Sequence, residues 1–472
     1  MPPSSLLRGA ALCLLPFACT PLDGRAAADA AVGDAPSVPD ASPDADAPAP
    51  DAPRPLTDAP ACPRGEAASV DPRFVLTLAS DTPGAPTSGA TARAARLDPM
   101  GRILIAGTCY RCTAADRSVA AVWRVDAATL RHDTTFGGAG VAADPSPARA
   151  VDQWNSVTSD ALERVYVAGY ATSGSSSAAV VARLLPDGRN DPDFGAMGQL
   201  RLGRGQVPSL SAIAVATAIH HDGDGAVVTV IDQHTWFGPA TRAWALRVDD
   251  TGRLDASFGD RGIEEIEDVH GCFDLARDGS DYVLACASLT DRPTLRRLGA
   301  TGRPVAWASG ARAEAPTAPA RFVVRTLARD SVGRWVVVGP VSASYNDVNA
   351  AVAAVRFLPD GSHDRTYGTA GVTVFLGPRQ TFGYSFASAS RVGCDDRLLF
   401  GGSYNAQPVV GFLDAQGRPL EAVGDYGNLL LPQRAGAAAA VVAAIVPVPG
   451  SQDVVVVVTH APAATTVHRL SQ

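Results

Sequence analysis

The 472-residue sequence contains no lysine, so all 40 of its basic side chains are arginine. A phosphate-loop lysine, a Schiff-base lysine and a Ser-Lys pair are thereby excluded. The bias toward Arg and Ala is what high-GC codon usage produces. Aromatic residues are scarce at 6%, and charged residues make up only 19% with a net charge of -8. That balance works against nucleic acid or anionic lipid as a partner. No His-Glu-x-x-His, Gly-x-Ser-x-Gly or dinucleotide-type glycine pattern occurs, so no reaction is named by motif. Beyond the first residues no apolar run is long enough to span a bilayer. The best stretch, Ala435 to Val448, is interrupted by Pro447 and reads as part of two strands around a turn.

Glycine (45) and proline (36) are plentiful, which favours many short strands joined by turns. At the N-terminus Arg8 precedes an apolar run, Gly9 to Ala18, the pattern of an export signal over residues 1–18. The Ala18-Cys19 step resembles a bacterial lipoprotein signal, which implies lipidation of Cys19. Thr20 then points to the outer membrane or cell surface. The alternative is cleavage near Ala26 to Ala28 and a soluble periplasmic or secreted protein. Residues 19–66 are nearly all Ala, Pro and Asp and lack the side chains that build a core. They are expected to form a disordered tether that, at about 3.1 Å per residue, reaches on the order of 100 Å.

From residue 67 to 472 the chain repeats itself with a period of about 55–64 residues. The first block reads "LDPMGRILIAG", "AAVWRVD" and "LRHDTTFGGAGV". The second reads "LERVYVAG", "AVVARLLPDG" and "RNDPDFGAMGQL", and the third and fifth follow closely. The fourth block has lost the Phe-Gly end, the sixth is looser ("GDYGNLLL"), and the seventh stops after "TVHRLSQ". Near-continuous apolar runs such as "RILIAG" and "RWVVVG" predict strands buried on both faces. Asp133, Asp191, Asp255 and Asp364 each stand three residues before an aromatic: Phe136, Phe194, Phe258 and Tyr367. A short carboxylate there can set a turn, the ring can wedge between sheets, and Gly137, Gly195, Gly259 and Gly368 permit the backbone to turn.

These segments resemble the delta-sixty repeat of bacterial exported proteins, which implies a propeller-like fold and no common reaction. Counting blocks from both ends predicts an all-β, seven-bladed β-propeller of four-stranded blades. The N-terminal strand "FVLTLAS", residues 74–80 after the Asp71-Pro72-Arg73-Phe74 motif, is expected to complete the last blade.

Eight cysteines in an exported chain invite disulfides. Cys272 and Cys286 flank a hairpin and should face one another. Cys109 and Cys112 form a CxxC suited to a small loop disulfide, and Cys62 and Cys394 could tie the tether to the head. The densest cluster of ligand-type residues is His220-His221-Asp222-Gly223-Asp224-Gly225. Asp222 and Asp224 are weak metal candidates there, because Asp and Gly are expected at a hairpin turn. No cofactor is expected. Trp236 in a polar loop could stack on a sugar or contact a protein.

The resulting expectation is a monomeric, non-enzymatic module binding protein or polysaccharide at its rim loops, touching a membrane only through its lipid. The alternative is a propeller-type lyase, glycosidase or quinone-dependent dehydrogenase. That reading requires two or three of His220, His221, His270, Asp222, Asp224 and similar groups to come within hydrogen-bond reach at one mouth of the axial channel.

Overall fold

The computed structural model describes residues 68–78, 89–111, 118–143, 151–203, 207, 210, 213–233, 240–310, 312–315, 321–341, 351–376 and 384–471. Residues 1–66, where a signal and a tether are expected, lie outside these residues, and with them Cys19 and Cys62, as do Cys112 and Trp236.

Among the described residues every regular element of more than three residues is a strand. An N-terminal strand, β1 (Ser69–Thr77), precedes the repeats. The first repeat supplies β2 (Gly89–Leu97), β3 (Arg102–Tyr110), β4 (Ser118–Asp126) and β5 (Val141–Ala143). The second supplies β6 (Gln153–Ser159), β7 (Val165–Ser173), β8 (Ser176–Leu184) and β9 (Gln199–Leu202). The third supplies β10 (Ile213–His221), β11 (Gly225–Gln233), β12 (Ala240–Asp249) and β13 (Ile263–Ile266). The fourth supplies β14 (Val269–Asp278), β15 (Asp281–Ser288), β16 (Pro293–Leu298) and β17 (Ala313–Glu314). The fifth supplies β18 (Thr326–Arg329), β19 (Trp335–Val341), β20 (Ala351–Phe357) and β21 (Val372–Phe375). The sixth supplies β22 (Tyr384–Val392), β23 (Leu398–Tyr404), β24 (Gln407–Leu413) and β25 (Asn428–Leu430). The chain ends with β26 (Ala439–Pro447), β27 (Val454–Ala461) and β28 (Ala464–Ser471).

The expectation of seven separate four-stranded blades is corrected by the sheet topology. Five four-stranded blades stand alone, and the strands of the second and third repeats form a single eight-stranded sheet. The join is a parallel pairing of Ile213 with Ser177, reinforced by the Ser177 hydroxyl donating to the Ala214 carbonyl at 3.1 Å. The physical cause lies in the segment leading into β10. Val207, Leu210 and Ala214 are buried in the cluster between the two repeats, with Ile213 buried beside them, and burying them draws the start of β10 onto β8.

The first strands of successive repeats contact one another around a closed ring, from β2 through β6, β10, β14, β18 and β22 to β26 and back to β2. Hydrophobic clusters fill the spaces between neighbouring sheets. Ile103, Ile105 and Trp123, for instance, pack on Val455, Val457 and Val467. The middle strands are buried on both faces because each sheet is sandwiched: β3, β19 and β23 are apolar and covered along almost their whole length. The Ala435–Val448 stretch becomes β26 and the turn before β27. Among the described residues no helix is long and apolar enough to cross a membrane.

Strand β1 pairs antiparallel with β28, its bounds falling several residues earlier than the 74–80 segment read from sequence. Asp71 to Phe74 thus lie within the strand, where the register shifts between Val70 and Val75. Leu76 and Leu78 bury against the neighbouring sheet, each side chain contributing about 1.5–3 kcal/mol. Removing residues 1–66 is therefore expected to leave the urea midpoint unchanged. Removing residues 1–78 should cost about 3 kcal/mol or more or abolish the cooperative transition. Equal midpoints would contradict a structural role for β1.

Candidate functional site

The Asp, aromatic and glycine residues singled out from sequence form contacts between adjacent repeats. Phe136, Phe194 and Phe258 are fully buried and Tyr367 nearly so. Each ring sits against the turn before the fourth strand of the next repeat, where glycine leaves room. A Cβ on Gly188 (φ +84°) would lie 2.7 Å from the Gly137 amide nitrogen and 3.1 Å from the Phe136 ring. Backbone bonds seal the contact: Gly137 N–H donates to Asp187 O at 2.6 Å, Gly195 to Thr251 O at 2.8 Å and Gly368 to Gln416 O at 2.8 Å. Asp133, Asp255 and Asp364 cap their own turns, each carboxylate accepting from the amide and hydroxyl of the Thr or Ser two residues on. Asp191 caps its turn through the Asp193 amide, position 193 offering no hydroxyl.

The third member of this contact, a buried arginine, was not singled out from sequence. Arg124, Arg183 and Arg356 bond Asp133, Asp191 and Asp364 at 2.7, 2.8 and 2.7 Å. Each also donates to a carbonyl of the next repeat (Pro186, Asp250 and Ala415) and lies 4.4–4.9 Å over its own aromatic ring. Its signal was present, because an arginine stands eight or nine residues before each motif aspartate. In the fourth repeat Trp307 takes the aromatic place. Arg297 lies 5.3 Å over it, and a Cβ on Gly361 would meet its ring at 2.5 Å. In the sixth, buried Val423 and Gly424 occupy the position, while Tyr426 points to solvent.

The His220–Gly225 hairpin is likewise taken up structurally. Asp222 accepts from Arg247 at 3.1 Å, from Arg277 at 3.2 Å and from the Tyr282 hydroxyl. Burial alone would raise its pKa, but these partners hold the carboxyl below its ordinary range. Asp224 pairs with the same Arg247. His221 stacks on Tyr166 at 4.7 Å, whereas His270 lies 3.9 Å from Asp291 at the far end of β14. His270 is thus apart from the hairpin, where Asp222 and Asp224 are engaged by arginines. Among the described residues no group of three or more His, Cys, Asp or Glu is placed to hold a metal ion.

Cys272 and Cys286 lie directly opposite one another on β14 and β15 and are joined by a disulfide. Cys109 is buried and disulfide-bonded. The backbone of Cys394 lies in a short turn, and its side chain is outside the described residues.

A different set of charges converges on the axis. Arg96 on β2 reaches Asp274 on β14 at 3.9 Å, although the two belong to the first and fourth repeats. Asp274 also accepts the Leu275 and Leu327 amides, each at 2.9 Å, yet its enclosure raises its pKa. Arg325, just before β18, lies 5.9 Å from the Phe273 ring and is close enough to Arg93 of β2 to feel its charge. Arg391 stands on β22. Burial lowers the pKa of both Arg325 and Arg391, but a guanidinium remains charged. Arg93, Arg325 and Arg391 have no carboxylate partner in any ion pair of the described residues. Arg93, Arg96 and Arg325 thus gather around one half-buried counter-charge, Asp274.

Residues 164–194 match a family described as "Domain of unknown function (DUF5122) beta-propeller". No curated protein matches the sequence. Among solved structures, a catalytically inactive virginiamycin B lyase from Staphylococcus aureus with quinupristin superposes with a TM-score of 0.49 at 11% identity, covering 84% of this chain and 99% of that one. A Lactobacillus plantarum protein gives 0.46 at 13% identity (76% and 91%), and Drosophila Semaphorin 2a gives 0.45 at 8% (81% and 74%). An enzyme and a semaphorin at comparable distance leave the function to this chain's own residues.

Three histidines titrate far from their ordinary value. Burial pushes His220, His460 and His468 down to about 4, helped by Arg96, Arg434 and His460 respectively, while Asp222 opposes the shift at His220. The unfolded chain, with histidine near 6.5, binds more protons between these values. Stability is expected to be complete above pH 6.5 and to fall as the pH drops from about 6.5 to about 4. Urea midpoints measured across that interval check it, and a flat profile would contradict burial of the neutral rings.

Proposed function

We propose that the chain is an exported, non-enzymatic β-propeller that binds the anionic groups of a polysaccharide or protein partner at its axial channel. The single observation carrying this reading is the pair of axial arginines without carboxylate partners in the ion pairs of the described residues, Arg93 and Arg325. Elsewhere in the fold arginines are spent on Asp partners and inter-repeat carbonyls, as at Arg183. Arg93 is exposed and Arg325 half-buried, so their guanidinium groups are open to bidentate donation to carboxylate or sulfate. Attachment through a lipidated Cys19, with the tether holding a monomeric head clear of the membrane, is part of the same proposal. The enzyme alternative gains no support, since Asp222 and Asp224 are engaged by Arg247.

The test is calorimetric titration of the folded head with a hexameric galacturonate and with a neutral glucose hexamer. Affinity for the acidic oligomer should fall with added salt, and an Arg93→Gln/Arg325→Gln variant should bind it about tenfold more weakly, the equivalent of 1.4 kcal/mol. Unchanged affinity in a variant with a wild-type melting curve would refute the assignment.

A further inference from the structure

A second feature lies between the sheet containing β26–β28 and the segment that follows β25. His460, Thr466, His468, Val70, Val75 and the Pro432–Arg434 segment enclose a cleft of about 360 Å³, large enough for a small organic molecule. His460 and His468 are 1% and 3% exposed, so their ring nitrogens must find partners within the protein or a ligand.

Their bonds form a relay. The Arg434 backbone N–H donates to His460 Nδ1 at 3.4 Å, so the ring proton of His460 sits on Nε2. That Nε2–H, 2.8 Å from Thr466 Oγ1, donates to the hydroxyl. Thr466 Oγ1 lies 2.7 Å from His468 Nε2, to which it can give its one proton or from which its second lone pair can accept. In the tautomer that continues the relay, His468 Nε2 accepts and its proton sits on Nδ1. That atom is buried and has no hydrogen-bond partner. An unmet buried donor costs about 1–3 kcal/mol. The cleft thus presents an N–H donor with nothing to receive it, apolar walls from Val70, Val75 and Pro432, and the exposed Arg434 side chain at its edge.

We infer that this cleft binds a small organic acid: its carboxylate accepts from His468 Nδ1–H and faces Arg434, and its apolar tail lies along Val70, Val75 and Pro432. With its proton on Nδ1, His468 ends the relay through Thr466 as a donor rather than an acceptor. The site is separate from the axial arginines and stands or falls without them.

The experiment uses the full chain with ¹⁵N-labelled histidine at pH 7, with hexanoate as the probe and hexylamine as the control. Long-range ¹H–¹⁵N spectra should show His468 protonated at Nδ1 and His460 at Nε2. Hexanoate should shift the His468 Nδ1 signal saturably, and hexylamine should leave it unchanged. Thr466→Val, which breaks the relay, and His468→Phe, which removes the donor, should each weaken hexanoate about tenfold or more while keeping a cooperative melt. His468 protonated at Nε2, a non-saturating shift, or hexanoate binding undiminished in folded His468→Phe would overturn the inference. If a variant fails to fold, the tautomer and the titration on the unsubstituted chain decide it alone.

Discussion

The architecture rests on one repeated contact in which a buried arginine, its aspartate and an aromatic ring dock beneath the glycine turn of the next repeat. At Arg183 it joins a salt bridge to Asp191, a cation–π contact with Phe194 and a bond to the Asp250 carbonyl. Arg183 and Asp191 are each 3% exposed, so removing either partner would strand a buried charge at a cost of about 3–5 kcal/mol. The contact links neighbouring repeats, so it sets how one set of four strands sits against the next and, by repetition, the ring. Where the aromatic changes to Trp307 the ring still meets the glycine turn of the next repeat at Gly361.

Much of the strand pattern was legible in the sequence because its cause is local. Runs such as Arg102–Gly107 are apolar on both faces, and the turns before the fourth strands carry Gly188, Gly252 and Gly361 in positive φ. The buried arginines were visible as letters but not as partners, since their role depends on a turn some sixty residues further on, as for Arg124 with Pro186. The fusion of the second and third repeats was illegible for a similar reason. It turns on where Val207, Leu210 and Ile213 bury, and no periodic pattern marks that segment. Trp307 escaped notice because it sits one place away from the expected spacing.

The axial residues were the least legible of all. Arg93 falls in the register shift between Ala92 and Ala94 of β2, Asp274 adjoins a similar shift, and Arg325 precedes its strand. Irregularities of this kind re-aim single side chains and leave no repeat in the sequence. Their variation beside a constant inter-repeat contact is the expected division of labour in a repeat fold, where the scaffold is shared and the site is particular.

The inter-repeat contact is tested most directly by comparing two glycines of the second repeat in urea unfolding. Both Gly174 (φ +61°) and Gly188 (φ +84°) adopt positive φ, but a Cβ at Gly174 would meet nothing within 4 Å, whereas at Gly188 it would strike the Phe136 wedge and the Gly137 amide. Gly174→Ala should cost only the backbone strain of about 1–2 kcal/mol. Gly188→Ala should cost at least about 2 kcal/mol more, because it also forces the sheets apart. Equal losses for the two substitutions would contradict a fold held together by these contacts.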